Sequence, residues 1–493
     1  MYSSFGDRQD AGQNQELLSF AEIISALSFA VDLTEGAVPG HAIRCCILGM
    51  RIGRELHLPE TQIASMYYAL LLKDSGCSSN AARMCQIVGG DDRAIKNGAK
   101  LEDWTKPHKP SLRLLKLLWR EALPGANPLR KILRIVQIGL TQHKNNAEVI
   151  ALRCDRGAQI ARKLGLSAET SEAVRCLDEH WDGSGYPDHL RGAQIPIIAR
   201  ILAVAQHLDV FASECSTQEA TKILAERSGK WFDPKLVKLV QKLERQGRLW
   251  TDCLPTGDPE AARRLVVSLE PNPGHGIRAS VDSTRIDEIC EAFADVVDAK
   301  SPFTYRHSMG VAEAAREIAE TLELPEDRRR LIWRAALLHD LGKLAVPNTI
   351  LDKPAKLTPE EFAVVAEHPR LSREILKRIH SFAEMAEIAG CHHEKLDGSG
   401  YPDKRIATDL CLEARLIAVA DFYQALVEDR PYRAGMTHER AMSILRGEAI
   451  DQQCVDALEY ARKIKSGEAS ALRLVETAPL VPPMAWVQDE ITL

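Results

Sequence analysis

His339 and Asp340, side by side in the apolar run RAALLHDLGKLAVP, are the residues of this chain best suited to chemistry. Around them in sequence stand His307, His368, His392, His393 and Asp421, a dispersed set of imidazoles and carboxylates of the kind that binds transition-metal ions. Adjacent residues on a helix project about 100° apart. The pairs His339-Asp340 and His392-His393, each on a helix or helix end, can therefore splay over two neighbouring ions. The set predicts a dinuclear centre. Lys343, one turn after His339, would stand beside it as a cation.

Helices must position these groups. Apolar residues recur at helical spacing in VAEAAREIAETL, RRLIWRAALLHDL, LLSFAEIISALSFAV and PKLVKLVQKL, while alternating β-branched runs are scarce. The pattern predicts an all-α protein, and it repeats. WDGSGYP at 181–187 mirrors LDGSGYP at 396–402, ARILAVAQHLDVF at 199–211 mirrors ARLIAVADFYQAL at 414–426, and GHAIRCCILGMRIGRELHL at 40–58 matches RHSMGVAEAAREIAETLEL at 306–324. Two tandem copies of one helical domain follow. The first is assigned to residues 1–245, its repeat starting near residue 16, with an insertion at about 76–150. A Pro- and Gly-rich connector at 246–284 follows, with VVSL as a candidate short strand. The second copy occupies 285–465, and 466–493 is read as a loosely ordered tail.

The copies differ where the chemistry lies. The first keeps His41 and Asp74, but has Lys73 for His339, Cys154 for His368, Leu177 for His392, Asp178 for His393 and Gln206 for Asp421. An ammonium repels dications and leucine has no lone pair, so this copy is expected to bind no catalytic metal. His180 falls opposite Lys395 and is read as a bystander. Histidines that served only a helical core would not give way to such unrelated side chains within a retained framework, so the second set is read as metal ligands. DGSGYP survives in both copies, which predicts a turn shaped by its Gly, Asp and Pro, with a substrate role beside it.

Composition excludes several classes. At 493 residues and 45% hydrophobic content there is ample core, and a net charge of −6 provides no global basic field for a nucleic-acid polymer. The 12 cysteines include no CxxC pair and are expected to be mostly buried, reduced thiols, which favours the cytoplasm. The start MYSSFGDRQDAGQNQ lacks a basic segment followed by an apolar core, and no stretch offers about 18 uninterrupted apolar residues, so neither a leader nor a membrane span is expected.

The motifs HDLGKLAVPNTILDKPAKLTPEEF at 339–362, EHP at 367–369, HHEKLDGSGYP at 392–402 and VADFYQALVEDRPYR at 419–433 stand in an order and spacing that resembles the HD-GYP phosphohydrolases, a branch of the HD superfamily. The resemblance covers about residues 286–461. It implies hydrolysis of cyclic di-GMP to pGpG, with onward hydrolysis to GMP left open. It implies two divalent ions, iron or manganese, held by His307, His339, Asp340, His368, His392, His393 and Asp421, with Asp340 bridging. Lys343 is then a catalytic phosphate contact, and Gly400, Tyr401, Arg430 and Arg433 are substrate-contact candidates. Signalling partners would act through the GYP loop or the first copy; the oligomeric state is not implied. A hydrolase of another cyclic dinucleotide, or a non-catalytic nucleotide sensor or scaffold, are the alternatives. Two departures matter. Some members carry a third metal on a Glu four residues before the first His; here Phe303 holds that place, expected one turn away on the same helical face. The second copy also has DKRIATDLCLEAR after its GYP, without the Gly and Ile-Pro that the first retains in HLRGAQIPIIAR, which puts its loop shape and substrate fit in question.

Overall fold

The computed structural model describes residues 19–102, 111–271, 282–304, 306–429 and 433–467. Within them the chain is helical, and its β pairings are isolated bridges, among them Ser228–Phe232 and Asp397–Ile406. The first copy opens with α1 (Phe20–Glu35), α2 (His41–Glu55) and α3 (Glu60–Leu72). The insertion follows as α4 (Ala81–Val88), α5 (Asp92–Leu101), α6 (Leu112–Glu121) and the long α7 (Pro128–Lys163), and the copy closes with α8 (Ala168–Arg175), α9 (Ile197–Glu214), α10 (Thr217–Glu226) and α11 (Pro234–Arg245). The connector carries α12 (Pro259–Ser268), so VVSL is the end of a helix and not a strand; Asp258 caps it by accepting from Glu260 N, and Pro259 fits the first turn.

The second copy contains α13 (Ser283–Asp298), α14 (His307–Thr321), α15 (Glu326–Leu338), α16 (Asn348–Leu351), α17 (Pro359–Ala366), α18 (His368–Leu376), α19 (Ala383–Ala389), α20 (Leu412–Val427), α21 (His438–Leu445) and α22 (Gln452–Lys465). Both copies are built on one plan. α2 packs on α3 and α9 as α14 packs on α15 and α20. The entrance to α2 is fixed by the buried Asp32, which accepts from Ala42 N (3.1 Å), and that to α14 by Asp298, which accepts from Ser308 N (3.1 Å) and Ser308 Oγ (2.7 Å). Each carboxylate stands nine residues before the histidine that begins the helix.

One apolar core runs through both copies, and a small separate one, built on Val88, Ile95, Leu118 and Ala122, holds the insertion together. Polar contacts also join the copies: Lys163 pairs with Asp295 (2.8 Å), and Arg378 lies 4.0 Å over the Phe29 ring. No described helix is long and apolar enough to cross a membrane. All 12 cysteines are free, nine of them buried.

Candidate metal centre

His339, His368 and His392 reach the centre in the same way. Each stands at the end or start of a helical turn and donates Nδ1–H to the carbonyl three residues earlier: His339 to Ala336, His368 to Val365 and His392 to Ala389, all at 2.6 Å. A carbonyl only accepts, so the tautomer is fixed and each Nε2 lone pair faces inward. His307, the first residue of α14, is held by a carboxylate instead, with Nδ1 2.8 Å from Glu428 Oε2. His392 and His393 sit in the turn after α19, not on the helix itself.

The inward atoms form two groups around Asp340. Its Oδ2 lies 3.2 Å from His339 Nε2 and 3.7 Å from His307 Nε2, while Oδ1 lies 3.2 Å from His368 Nε2 and 3.7 Å from His392 Nε2. Asp421, on α20, closes the first group at 3.1 Å from His307 Nε2 and reaches His393 Nδ1 at 3.6 Å. His307, His339 and Asp421 thus make one cluster and His368, His392 and His393 another, with ligand atoms within 4.8 Å of one another in each. All these residues are buried except His393, which is partly so.

The electrostatics fit a site for cations. Burial opposes the charge on Asp340 and Asp421, but His339 and Lys343 for the former and His307 for the latter hold both carboxyls well below the usual range. Burial lowers His393 to about 3 and also lowers His368 and His392, leaving neutral imidazoles with free lone pairs. For His307 burial is outweighed by Asp421 and Glu428, which carry it up to about 9. His339 Nε2 and Asp340 Oδ1 are buried without a hydrogen-bond partner. An unmet buried polar atom costs about 1–3 kcal/mol, and a metal ion would satisfy both. Imidazole and carboxylate donors without thiolate suit iron, manganese or zinc; Cys391, beside the pair, has its thiol pushed up to about 12 by burial.

The other expected site residues divide. Lys343 extends from a 3-10 turn to 2.5 Å from Asp340 Oδ2. Tyr401 lies against His393, ring centroids 4.7 Å apart, and meets Phe362 edge-on at 5.5 Å; burial raises its phenol, which stays neutral. Gly400 is buried, and a Cβ there would fall 2.4 Å from Lys395 N and 2.6 Å from His393 O, so its absence lets the loop cross the histidine turn. Arg433 is turned to the end of α20, donating to Leu426 O (3.0 Å) and Ala425 O (2.8 Å). Arg430 lies outside the described residues. Phe303 does not share a helical face with His307: α14 begins at His307, and Arg306 has φ 62°, which breaks helical continuity at that point.

Sequence reasoning passed over Glu428, Asp298 and Glu394. Glu394 Oε1 and Oε2 accept from Asp403 N (2.7 Å) and Arg405 N (2.9 Å), and Glu179 does the same for Asp188 N and Leu190 N at the same two distances. A glutamate retained in both copies, directly after the second His position of the pair, was the signal. The loop beyond the GYP keeps its 3-10 turn, Ala407–Asp409 matching Gly192–Gln194, but the left-handed backbone of Gly192 (φ 57°) has no counterpart at Ala407, so the lost Gly changes the local path into that turn.

The corresponding pocket of the first copy is filled by cations. Lys73 Nζ is 2.8 Å from His41 Nε2 and paired with Asp74; Lys100, from α5, lies 2.6 Å from Glu35 and 3.8 Å from Asp74. The partner of His368 is Arg153, not Cys154. A Cβ on Gly342 would fall 2.0 Å from His368 O and one on Gly76 2.0 Å from Arg153 O, and the step of 24 residues from His368 to His392 equals that from Arg153 to Leu177. Arg153 is paired with Asp178. Groupings of His41, Cys45 and Asp209, and of Glu35, Asp74 and Cys77, have metal-like geometry. Burial keeps both thiols protonated, and Arg44 already binds Asp209 (2.5 Å).

Comparison with known proteins bears on the fold and the family. The HD-domain family profile matches residues 133–236 and 291–454. The chain is 38% identical over 461 residues to the 3'3'-cGAMP-specific phosphodiesterase 3 of Vibrio cholerae, covering 93% of this chain and 98% of that one. It is 36% identical over 230 residues to a cyclic di-GMP phosphodiesterase response regulator of Xanthomonas campestris, covering 45% of this chain and 60% of the other. A crystal structure of a cyclic GMP-AMP specific phosphodiesterase of V. cholerae superimposes with a TM-score of 0.62 at 34% identity, covering 92% of this chain and 100% of that chain.

Proposed function

The chain belongs to the HD-domain family, in its HD-GYP branch, and on that premise we propose that its second copy hydrolyses a phosphodiester bond of a cyclic dinucleotide with two divalent ions. The observation that carries this reading is the division of ligand atoms around Asp340. His307, His339 and Asp421 with Oδ2 would hold one ion, and His368, His392 and His393 with Oδ1 the other. Iron or manganese suits these donors. Such a pair supplies Lewis acidity toward phosphoryl oxygens and water.

The chain's own residues do the rest. The three Nδ1–H to carbonyl bonds, with Glu428 on His307, hold the imidazole planes so that no ligand must reorient when substrate arrives. The Lys343 ammonium, beside Asp340, would meet charge developing on the phosphate or leaving oxygen. Tyr401 and the exposed Phe362 ring offer an aromatic surface for a purine at the edge of the centre. Gly400 would serve by letting the loop pass close to His393.

The relative that spans nearly this whole chain is named for 3'3'-cGAMP, whereas the relatives from X. campestris and Pseudomonas aeruginosa named for cyclic di-GMP match 45% and 37% of it. We therefore rank 3'3'-cGAMP first and cyclic di-GMP second. The test is product analysis after anaerobic loading with iron or manganese, with 3'3'-cGAMP, cyclic di-GMP and cyclic di-AMP offered separately. A linear dinucleotide from the first, faster than from the others, is expected. A fully loaded protein that cleaves none of the three would make the second copy a sensor or scaffold.

A further inference from the structure

Eight of the fifteen large apolar side chains that stand exposed among the described residues lie on two helices of the insertion, between Leu112 and Leu140. On α7 the exposed residues Leu129, Leu133, Val136 and Leu140 follow one another at steps of four, three and four, with Ile132 beside them. That spacing is the a/d seam of a coiled coil, a stripe whose partner is another helix. The opposite side of α7 is already used, since Ile135 and Ile138 pack on the small core of the insertion. α6 repeats the arrangement: Leu114 and Leu118 turn to that core, while Leu112, Leu115 and Trp119 face outward.

We propose that this α6–α7 face joins two copies of the chain in a symmetric dimer. Monomeric proteins rarely expose apolar patches beyond about 300–600 Å². The eight side chains here present on the order of 800 Å², comparable to the roughly 800 Å² per partner that a stable interface buries. A two-fold axis sets the same stripe against itself, which a heptad seam satisfies.

The seam spacing and the apolar area favour a second copy over an anionic surface, and the neighbouring cations are only partly free, Lys116 and Arg130 having no side-chain partner among the described residues. Arg113 is paired with Glu214 (2.9 Å), Arg120 with Glu121 (2.6 Å), and Lys131 donates to Trp119 O (3.1 Å), so three of the basic groups beside the stripe are engaged within the chain. The dimer is a property of the insertion and stands or falls independently of the catalytic reading.

Sedimentation velocity of the full chain from about 0.5 to 50 µM tests the proposal, because interfaces of this size give micromolar or tighter association. Wild type should sediment as a dimer, Leu133→Glu/Leu140→Glu as a monomer, and Leu254→Glu, an exposed leucine elsewhere, as a dimer. Leu129→Gln/Leu140→Gln is the milder pair, and circular dichroism confirms that each variant is folded. Raising NaCl from about 50 to 500 mM should leave the dimer intact or tighten it, since screening weakens only like-charge repulsion at its rim. A wild type that is monomeric throughout overturns the proposal. So does a dimer that survives both double substitutions, or a monomer that instead pellets with phosphatidylglycerol vesicles in a salt-sensitive way.

Discussion

The two pockets share a backbone and differ in who supplies the positive charge. His41 Nε2 lies 3.7 Å from Asp74 Oδ2, and His307 Nε2 lies 3.7 Å from Asp340 Oδ2. Around the first pair the chain brings Lys73, Lys100 and Arg153, whose charges meet the carboxylates of Glu35, Asp74 and Asp178 directly. Around the second it brings His368, His392 and His393 as neutral imidazoles, with Lys343 as a single lysine beside Asp340, and leaves Asp340 Oδ1 and His339 Nε2 without hydrogen-bond partners. Buried polar atoms without hydrogen-bond partners occur in both pockets, at Glu35 and Gln206 in the first and at His339 and Asp340 in the second, but only in the first do several side-chain cations stand among the carboxylates. The insertion serves both pockets, since α5 sends Lys100 into the first while Asp92 Oδ1 accepts from Asn348 N (3.0 Å) and Arg93 binds Ala345 O next to the Lys343 turn.

The largest effect is expected from emptying the first pocket. Lys73→Ala removes one partner of a fully buried pair and leaves Asp74 to Lys100 at 3.8 Å, which costs up to about 3–5 kcal/mol. Denaturant titration should record that loss, while the turnover of the folded fraction stays near wild type. A variant as stable as wild type would mean that Lys73 does not stand in for a metal charge.

Next comes Lys343→Ala, which should lower turnover on the order of a hundredfold, the effect of losing one preorganised group, with metal content unchanged. Metal loss together with activity would instead make the lysine a support for Asp340. Glu394→Gln and Glu179→Gln sharpen the comparison, because each weakens the same two backbone bonds of a GYP loop. Each should cost about 1–2 kcal/mol of stability, and only Glu394→Gln should slow hydrolysis. Equal activity losses would show that the first loop also serves catalysis.

The smallest effect is a pH dependence. Burial carries Asp32 from its ordinary 3.8 to about 7. Between those values the folded state holds a proton that the unfolded state has released, so this group's contribution falls as pH rises through the window and levels off above it. The melting temperature of wild type should drop relative to Asp32→Asn from about pH 5 to 8. A constant difference would show that Asp32 is ionised throughout.

Much of this was legible in sequence. The all-α class followed from helical periodicity. The seven proposed ligands, named from type and order, are brought together around Asp340. The misreadings have local causes. VVSL is β-branched, yet the Asp-Pro cap upstream carries a helix through it. Phe303 was placed by counting four back along a helix that starts only at His307, because a left-handed Arg306 leaves no signature in its residue type. Cys154 and Arg153 are neighbours, and the insertion removes the upstream spacing that would set the register; the close approach of Gly76 to Arg153 O decides it. Arg433 reads as a phosphate ligand because the motif does not reveal that carbonyls at the end of α20 already occupy it.

Metal stoichiometry tests the central comparison most directly. Elemental analysis of anaerobically purified protein should give two ions per chain in wild type, two in Lys73→Ala, and none in a His339→Ala/Asp340→Ala variant. A third ion in wild type, or ions retained after His339 and Asp340 are removed, would contradict the account.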